Sequence, residues 1–121
     1  MRRLRVGLAQ IDCTVGDLDG NVEKIKEYCR RAEAKKVDLI VFPELAICGY
    51  PPEDLLYKPH FISDCSLKLA EIVDFSRELK EMTLIVGTVG SSSQVKNSAA
   101  IISDGSLLGN YHKVCLPNYG V

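Results

Sequence analysis

The chain has 121 residues, enough for one ordinary domain with a buried core. Hydrophobic residues make up 46% of it, charged residues 26%, and the formal net charge is −1. That balance argues against a disordered chain, and it supplies no basic surface for nucleic acid or an anionic membrane.

The start, MRRLRVGLAQID, places basic residues before an apolar run, which is the order of a secretory signal. The run covers only Val6 to Ile11, is interrupted by Gln10 and closes at Asp12. It is too short and too polar for the apolar part of a signal, and nothing approaches a membrane span. A cytoplasmic protein is expected. The cysteines are Cys13, Cys29, Cys48, Cys65 and Cys115, an odd number with no C-x-x-C spacing. A disulfide framework or a zinc site is therefore not expected. His60 and His112 lie far apart in sequence and add no ligand cluster, so no metal is expected. The thiols are read as reduced and mostly buried.

In chain order, Leu4 to Ile11 reads as a buried strand. In the segment VGDLDGNVEKIKEYCRRAEAKK, Asp17, Asp19 and Asn21 are candidate helix caps. Val22, Ile25, Cys29 and Ala32 then recur at spacings of three and four, which makes one apolar helix face. Val37 to Phe42 is a short apolar strand. After the proline-rich stretch GYPPEDLL, Ile62, Cys65, Leu69, Ile72, Ser76 and Leu79 form the stripe of a second helix. TLIVGTVG is a strand, AAII begins another, and LLGNYHKV runs back from the turn signal Ser103-Asp104-Gly105-Ser106. The order β-α-β-α-β-β-β predicts an α/β fold whose sheet starts parallel and ends as hairpins, hence a mixed sheet. No repeat or inter-domain linker is present.

Four features can carry chemistry. Glu44 follows Pro43, which has no N–H and ends regular pairing at the carboxyl end of the second strand. Functional groups in α/β sheets gather there. At the edge of an apolar layer its pKa would be raised, suiting a general base; the other reading is an ordinary surface glutamate. Lys113 closes the last strand, either to stabilise an oxyanion or simply as a solvated lysine. The loop GTVGSSS, Gly87 to Ser93, is followed by a strand-like segment and lacks G-x-G-x-x-G and G-K-[ST], so it reads as a hairpin loop. Cys48 and Cys115 sit in apolar surroundings, where packing outweighs nucleophilic use.

Three segments in order, RVGLAQIDCTVGDLDGNVEKI, DLIVFPELAICGYPPEDLL and NSAAIISDGSLLGNYHKVCLPNYGV, resemble the nitrilase, or carbon–nitrogen hydrolase, superfamily from residue 4 to residue 121. Within it, GYPPEDLL and KVCLPNYGV are similar to the amino-terminal glutaminase domains of glutamine-dependent NAD⁺ synthetases. The resemblance implies part of a four-layer α-β-β-α sandwich and a Glu–Lys–Cys triad. Glu44 matches the glutamate of F-P-E, as general base. Lys113 matches the lysine of K-x-x-L-P, for oxyanion stabilisation. The nucleophilic cysteine of the family follows the L-P-N-Y motif, and neither Cys48 nor Cys115 matches it. Tyr50 is placed either in the glutamine pocket or in packing.

The resemblance further implies glutamine as substrate and no cofactor in this domain. ATP and Mg belong only to a C-terminal synthetase domain, which would receive the ammonia. It also implies a homo-oligomer. Residues 1 to 121 are then expected to be the amino-terminal portion of the hydrolase domain, partnered by the missing C-terminal part and inactive alone. The alternatives are another amidase of the superfamily, of ω-amidase or carbamoylase type, and a non-catalytic assembly module. A nucleotide-binding domain is disfavoured by the lack of a phosphate loop.

Overall fold

A computed structural model describes residues 3–91 and 95–113. Five strands form one sheet: β1 (Val6–Leu8), β2 (Leu39–Val41), β3 (Thr83–Ser91), β4 (Val95–Ser103) and β5 (Ser106–His112). Their spatial order is their chain order. β1, β2 and β3 are parallel, and β3, β4 and β5 are antiparallel, so the sheet is mixed as expected. Each parallel step needs a crossover, and each is made by one helix. These are α1 (Leu18–Ala34) and α2 (Phe61–Phe75), the latter extended by a 3₁₀ turn, Ser76–Glu78.

The helix ends follow local chemistry. Asp17 caps α1 by accepting a hydrogen bond from the Gly20 N–H at 3.0 Å. Asp19 lies inside the first turn. Asn21, read from sequence as a third capping candidate, is instead fully buried and bonds two loops, as described below. Past α1, Lys36 takes a left-handed φ of 57°, which ends the helix. Glu53 and Asp54 form the first turn of the short 3₁₀ segment Glu53–Tyr57, behind Pro52. At the β4–β5 turn, Asp104 and Gly105 both have positive φ, 45° and 76°. Two such residues make the type I′ turn that matches the twist of a hairpin.

The core lies between the helices and one face of the sheet. Val22, Ile25, Cys29 and Ala32 of α1 are buried, as the periodicity predicts. They join Cys65, Ile72 and Phe75 of α2 against Ile40, Leu84, Val86, Ala100 and Ile102 of the sheet. Lys26 of α1 bonds Glu71 of α2 at 2.9 Å and ties the two helices at the surface. Among the described residues no helix is long and apolar enough to cross a membrane.

The other face of the sheet is open at β1 among the described residues, whereas residues 43–45 lie over it at Gly87. Val6 and Leu8 pair in register with Leu39 and Val41, and those with Thr83 and Ile85. This row therefore shares one face. Leu8 is 75% exposed and Val6 45%. The expected buried strand over Leu4 to Ile11 is thus corrected: regular pairing covers three residues, Val6–Leu8, and the Val6 and Leu8 side chains face outward from an edge strand. One helix layer and one sheet layer are present, the α-β half of an α-β-β-α arrangement.

Ile25 has no exposed surface, and its truncation leaves a cavity beneath α1. Ile25→Ala should lower unfolding free energy by about 2–5 kcal/mol. Urea denaturation should show this as a lower midpoint with unchanged slope.

Candidate active site

Glu44 is delivered by the loop after β2. Phe42 donates its N–H to the Ile85 carbonyl at 2.9 Å, the last pairing before Pro43. The chain then turns over β3. Ile47 N–H donates to the Gly87 carbonyl at 3.2 Å, and Gly49 N–H returns to Leu45 at 2.8 Å. Gly87 lies directly beneath this turn: a Cβ there would strike the Pro43 carbonyl, the Leu45 N–H and the Glu44 backbone. A glycine is needed at that position for the loop to sit where it does. Leu45 adopts a φ of 51°, a conformation that non-glycine residues rarely take. Gly49, at φ 83°, has the Val15 backbone 2.6 Å from where its Cβ would be.

A second chain segment clamps the turn. The buried Asn21 amide donates to the Ile47 carbonyl at 2.9 Å and the Thr14 carbonyl at 2.8 Å, and its oxygen accepts from the Thr14 N–H at 2.8 Å. Gly16 N–H adds a bond to the Cys48 carbonyl at 2.9 Å. Both amide donors of Asn21 and one acceptor site of its oxygen are spent on joining the loop before α1 to the loop bearing Glu44.

The opposite side of the site comes from β4 and β5. Lys113 N–H donates to the Asn97 carbonyl at 2.8 Å and continues the β4–β5 ladder beyond Ser98 and His112. The Lys113 ammonium reaches Glu44 Oε1 at 2.8 Å, joining residues 69 apart in sequence. The Asn97 side-chain amide donates to the same oxygen. Oε2 has no hydrogen-bond partner among the described residues.

These contacts correct one expectation. The hydrogen bond from Lys113 lowers the Glu44 pKa below its ordinary value, and the Asn97 amide adds to it. Burial pushes the other way and loses, because the side chain is 40% exposed. Glu44 is therefore a carboxylate at neutral pH.

Tyr50 lies past the turn, 43% exposed, and its bond to Pro51 is cis. Cys48 is fully buried four residues beyond Glu44, its Sγ 3.3 Å from the Gly49 carbonyl. Contact with the buried Cys65 and its own burial push the Cys48 thiol up, so it stays protonated. Burial likewise pushes Cys29 up to about 12. Cys115 and the rest of the KVCLPNYGV ending beyond Lys113 lie outside the described residues, as does part of the GTVGSSS loop. Gly87 to Ser91, read from the sequence as hairpin loop, are instead the last residues of β3, which pairs antiparallel with β4. Among the described residues no group of three or more His, Cys, Asp or Glu side chains can hold a metal ion.

Asn97, Asn21 and Gly87 were not identified as site residues from the sequence. For Asn97 the only signal was an amide in a polar stretch opening a strand. For Gly87 it was a glycine inside an otherwise β-branched strand, which marks a close backbone approach.

Because Lys113 holds the Glu44 carboxylate in the folded state, this pair stabilises the fold above the ordinary carboxylate pKa. Its contribution is lost as pH falls through the lowered value. A carbon-detected NMR titration should give Glu44 a midpoint below that of an ordinary glutamate. Lys113→Met should move that midpoint upward, and an unmoved midpoint would contradict the pairing.

Comparison with known proteins was consistent with this geometry. The carbon-nitrogen hydrolase family matches residues 5–120. A glutamine-dependent NAD(+) synthetase from Thermotoga maritima is 45% identical over 121 residues, covering 100% of this chain and 21% of its own length. Its counterpart from Aquifex aeolicus is 41% identical, covering 98% of this chain and 20% of its own. The chain thus spans about a fifth of the length of these curated relatives. Among solved structures, a glutamine-dependent NAD+ synthetase from Acinetobacter baumannii superposes with a TM-score of 0.85 at 37% identity, covering 100% of this chain and 23% of that one. An amidase from Nesterenkonia sp. superposes at 0.86 with 22% identity, covering 95% of this chain and 44% of that one, a likeness of fold alone. With the family match running almost end to end, the chain belongs to the carbon–nitrogen hydrolase family.

Proposed function

We propose that this chain is the amino-terminal part of a glutamine-hydrolysing domain, and that the domain supplies ammonia for NAD⁺ synthesis. The observation that carries the reading is the meeting of Glu44 and Lys113 at 2.8 Å across 69 residues. The two come from separate motifs, and the fold brings them to one end of the sheet. The similarity to NAD(+) synthetases supports glutamine as the amide.

Each group has a defined task in such a reaction. The Glu44 carboxylate takes the proton of a cysteine thiol through its unpaired oxygen. The thiolate then attacks the side-chain amide carbon of glutamine, and the carbonyl electron pair moves onto oxygen. Lys113 stands beside the developing charge, and one such donor is worth on the order of 3 kcal/mol of barrier. Glu44 returns its proton to the leaving nitrogen, so ammonia departs and a thioester remains. Water, deprotonated by Glu44, attacks the thioester and releases glutamate and the thiol. Asn97 positions the carboxylate by holding Oε1, leaving Oε2 for the proton.

The thiol in this reading comes from a segment that follows the L-P-N-Y motif in the family. Cys48 is too deeply buried to serve. ATP and Mg act only in a separate synthetase domain, where the ammonia is consumed.

The 121 residues alone should release no ammonia from glutamine. Turnover that Cys48→Ala or Cys115→Ala abolishes would overturn this reading. In a longer protein containing this chain, Glu44→Gln should slow glutamine hydrolysis by about 10²–10⁴-fold. NAD⁺ formation from added ammonia should be unchanged.

A further inference from the structure

A second polar site lies on the helix-facing side of the sheet, behind the Glu44–Lys113 pair. Thr88, Ser98 and His112 occupy one row across β3, β4 and β5, because Thr88 pairs with Ser98 and Ser98 with His112. This row breaks the apolar pattern of that face, where Leu84, Val86, Ala100 and Ile102 are core residues. The three line a cavity of about 320 Å³, together with Lys96, Asn110 and Ser66 of α2. Its size is at the small end of ligand pockets, roughly 300–1,000 Å³.

The chemistry of the lining has one sign. No Asp or Glu borders the cavity among the described residues, whereas Lys96 does and makes no ion pair there. Ser98 is buried, with its hydroxyl 2.6 Å from His112 Nδ1. When that hydroxyl donates, the proton of a neutral His112 sits on Nε2 and is available to a ligand. Thr88 is only 2% exposed, and its hydroxyl has no partner among the described residues. A buried hydroxyl left unsatisfied is costly, and a native structure seldom tolerates one without a purpose. Ser66 is otherwise engaged, donating to the Ile62 carbonyl at 3.2 Å.

We propose that this cavity binds a small oxyanion, the phosphate or carboxylate group of a metabolite, held by Lys96, His112 and the Thr88 hydroxyl. A lysine and a histidine bordering one space beside an unpartnered hydroxyl, with no acid in its described lining, suit that charge and no cation. The site is joined to the catalytic pair through the backbone. Asn97 precedes Ser98 on β4, Lys113 follows His112 at the end of β5, and Lys113 N–H bonds the Asn97 carbonyl. An occupant therefore bears on the two strand ends that hold Glu44 in place. This binding does not depend on the amide chemistry.

The test is titration of the protein with inorganic phosphate and, separately, with acetate, at constant ionic strength. Backbone amide shifts of Thr88, Ser98, His112 and Lys113 are followed by NMR. The expected result is saturable binding of at least one probe, with shifts centred on those residues. Saturation by phosphate alone assigns a phosphorylated ligand, and saturation by acetate assigns a carboxylate. Lys96→Met removes a surface charge without disturbing the core, and Thr88→Val preserves shape. Each should weaken binding by about tenfold or more. Absence of saturable binding by either probe, or binding that both substitutions leave undiminished, overturns the proposal.

Discussion

The loop that carries Glu44 rests on the bare backbone of β3, and this contact decides the geometry of the site. Gly87 is the point of contact, since any side chain would strike Pro43, Glu44 and Leu45. Around it the loop is held from three directions. Phe42 and Ile47 bond to β3, Asn21 clamps the turn from α1, and Gly49 lets the chain pass beside Val15. A carboxylate at a strand mouth would ordinarily sample many positions, at a cost in entropy when it is fixed. Here the backbone beneath it is already fixed, so little remains to be ordered when Lys113 and Asn97 meet it.

That meeting also sets the charge state. Burial and hydrogen bonding act in opposite directions on a carboxyl group, and their balance depends on exposure. Glu44 is open enough to water that desolvation is weak, and the Lys113 ammonium dominates. A base held as an anion beside a cation is ready to accept a proton but is a weaker base for it.

Much of this was legible in the amino-acid order. The stripe Val22, Ile25, Cys29 and Ala32 identified the buried face of α1, because helical period and burial coincide. The Asp104-Gly105 turn identified the last hairpin through its demand for positive φ. Asn21 was misread as a cap because an asparagine near a helix start bonds locally in most settings, whereas here the nearby loops took both of its donors and one acceptor site. β1 was misread as buried because apolar content says that a residue seeks cover without saying which face of the sheet provides it. The helices occupy only one face, so Leu8 points outward.

From the sequence alone came the local elements, the mixed sheet, the family resemblance and the two residues Glu44 and Lys113 as candidates. These depend on period, turn chemistry and short motifs, all written within a few neighbouring residues. Only the tertiary structure decided that an Asn97 amide would share the Glu44 oxygen, that the carboxyl pKa would fall, and that Thr88, Ser98 and His112 would form one row. Those outcomes rest on strand register and on side chains brought together over long stretches of chain. No local pattern encodes such distances, because they exist only once the sheet has paired.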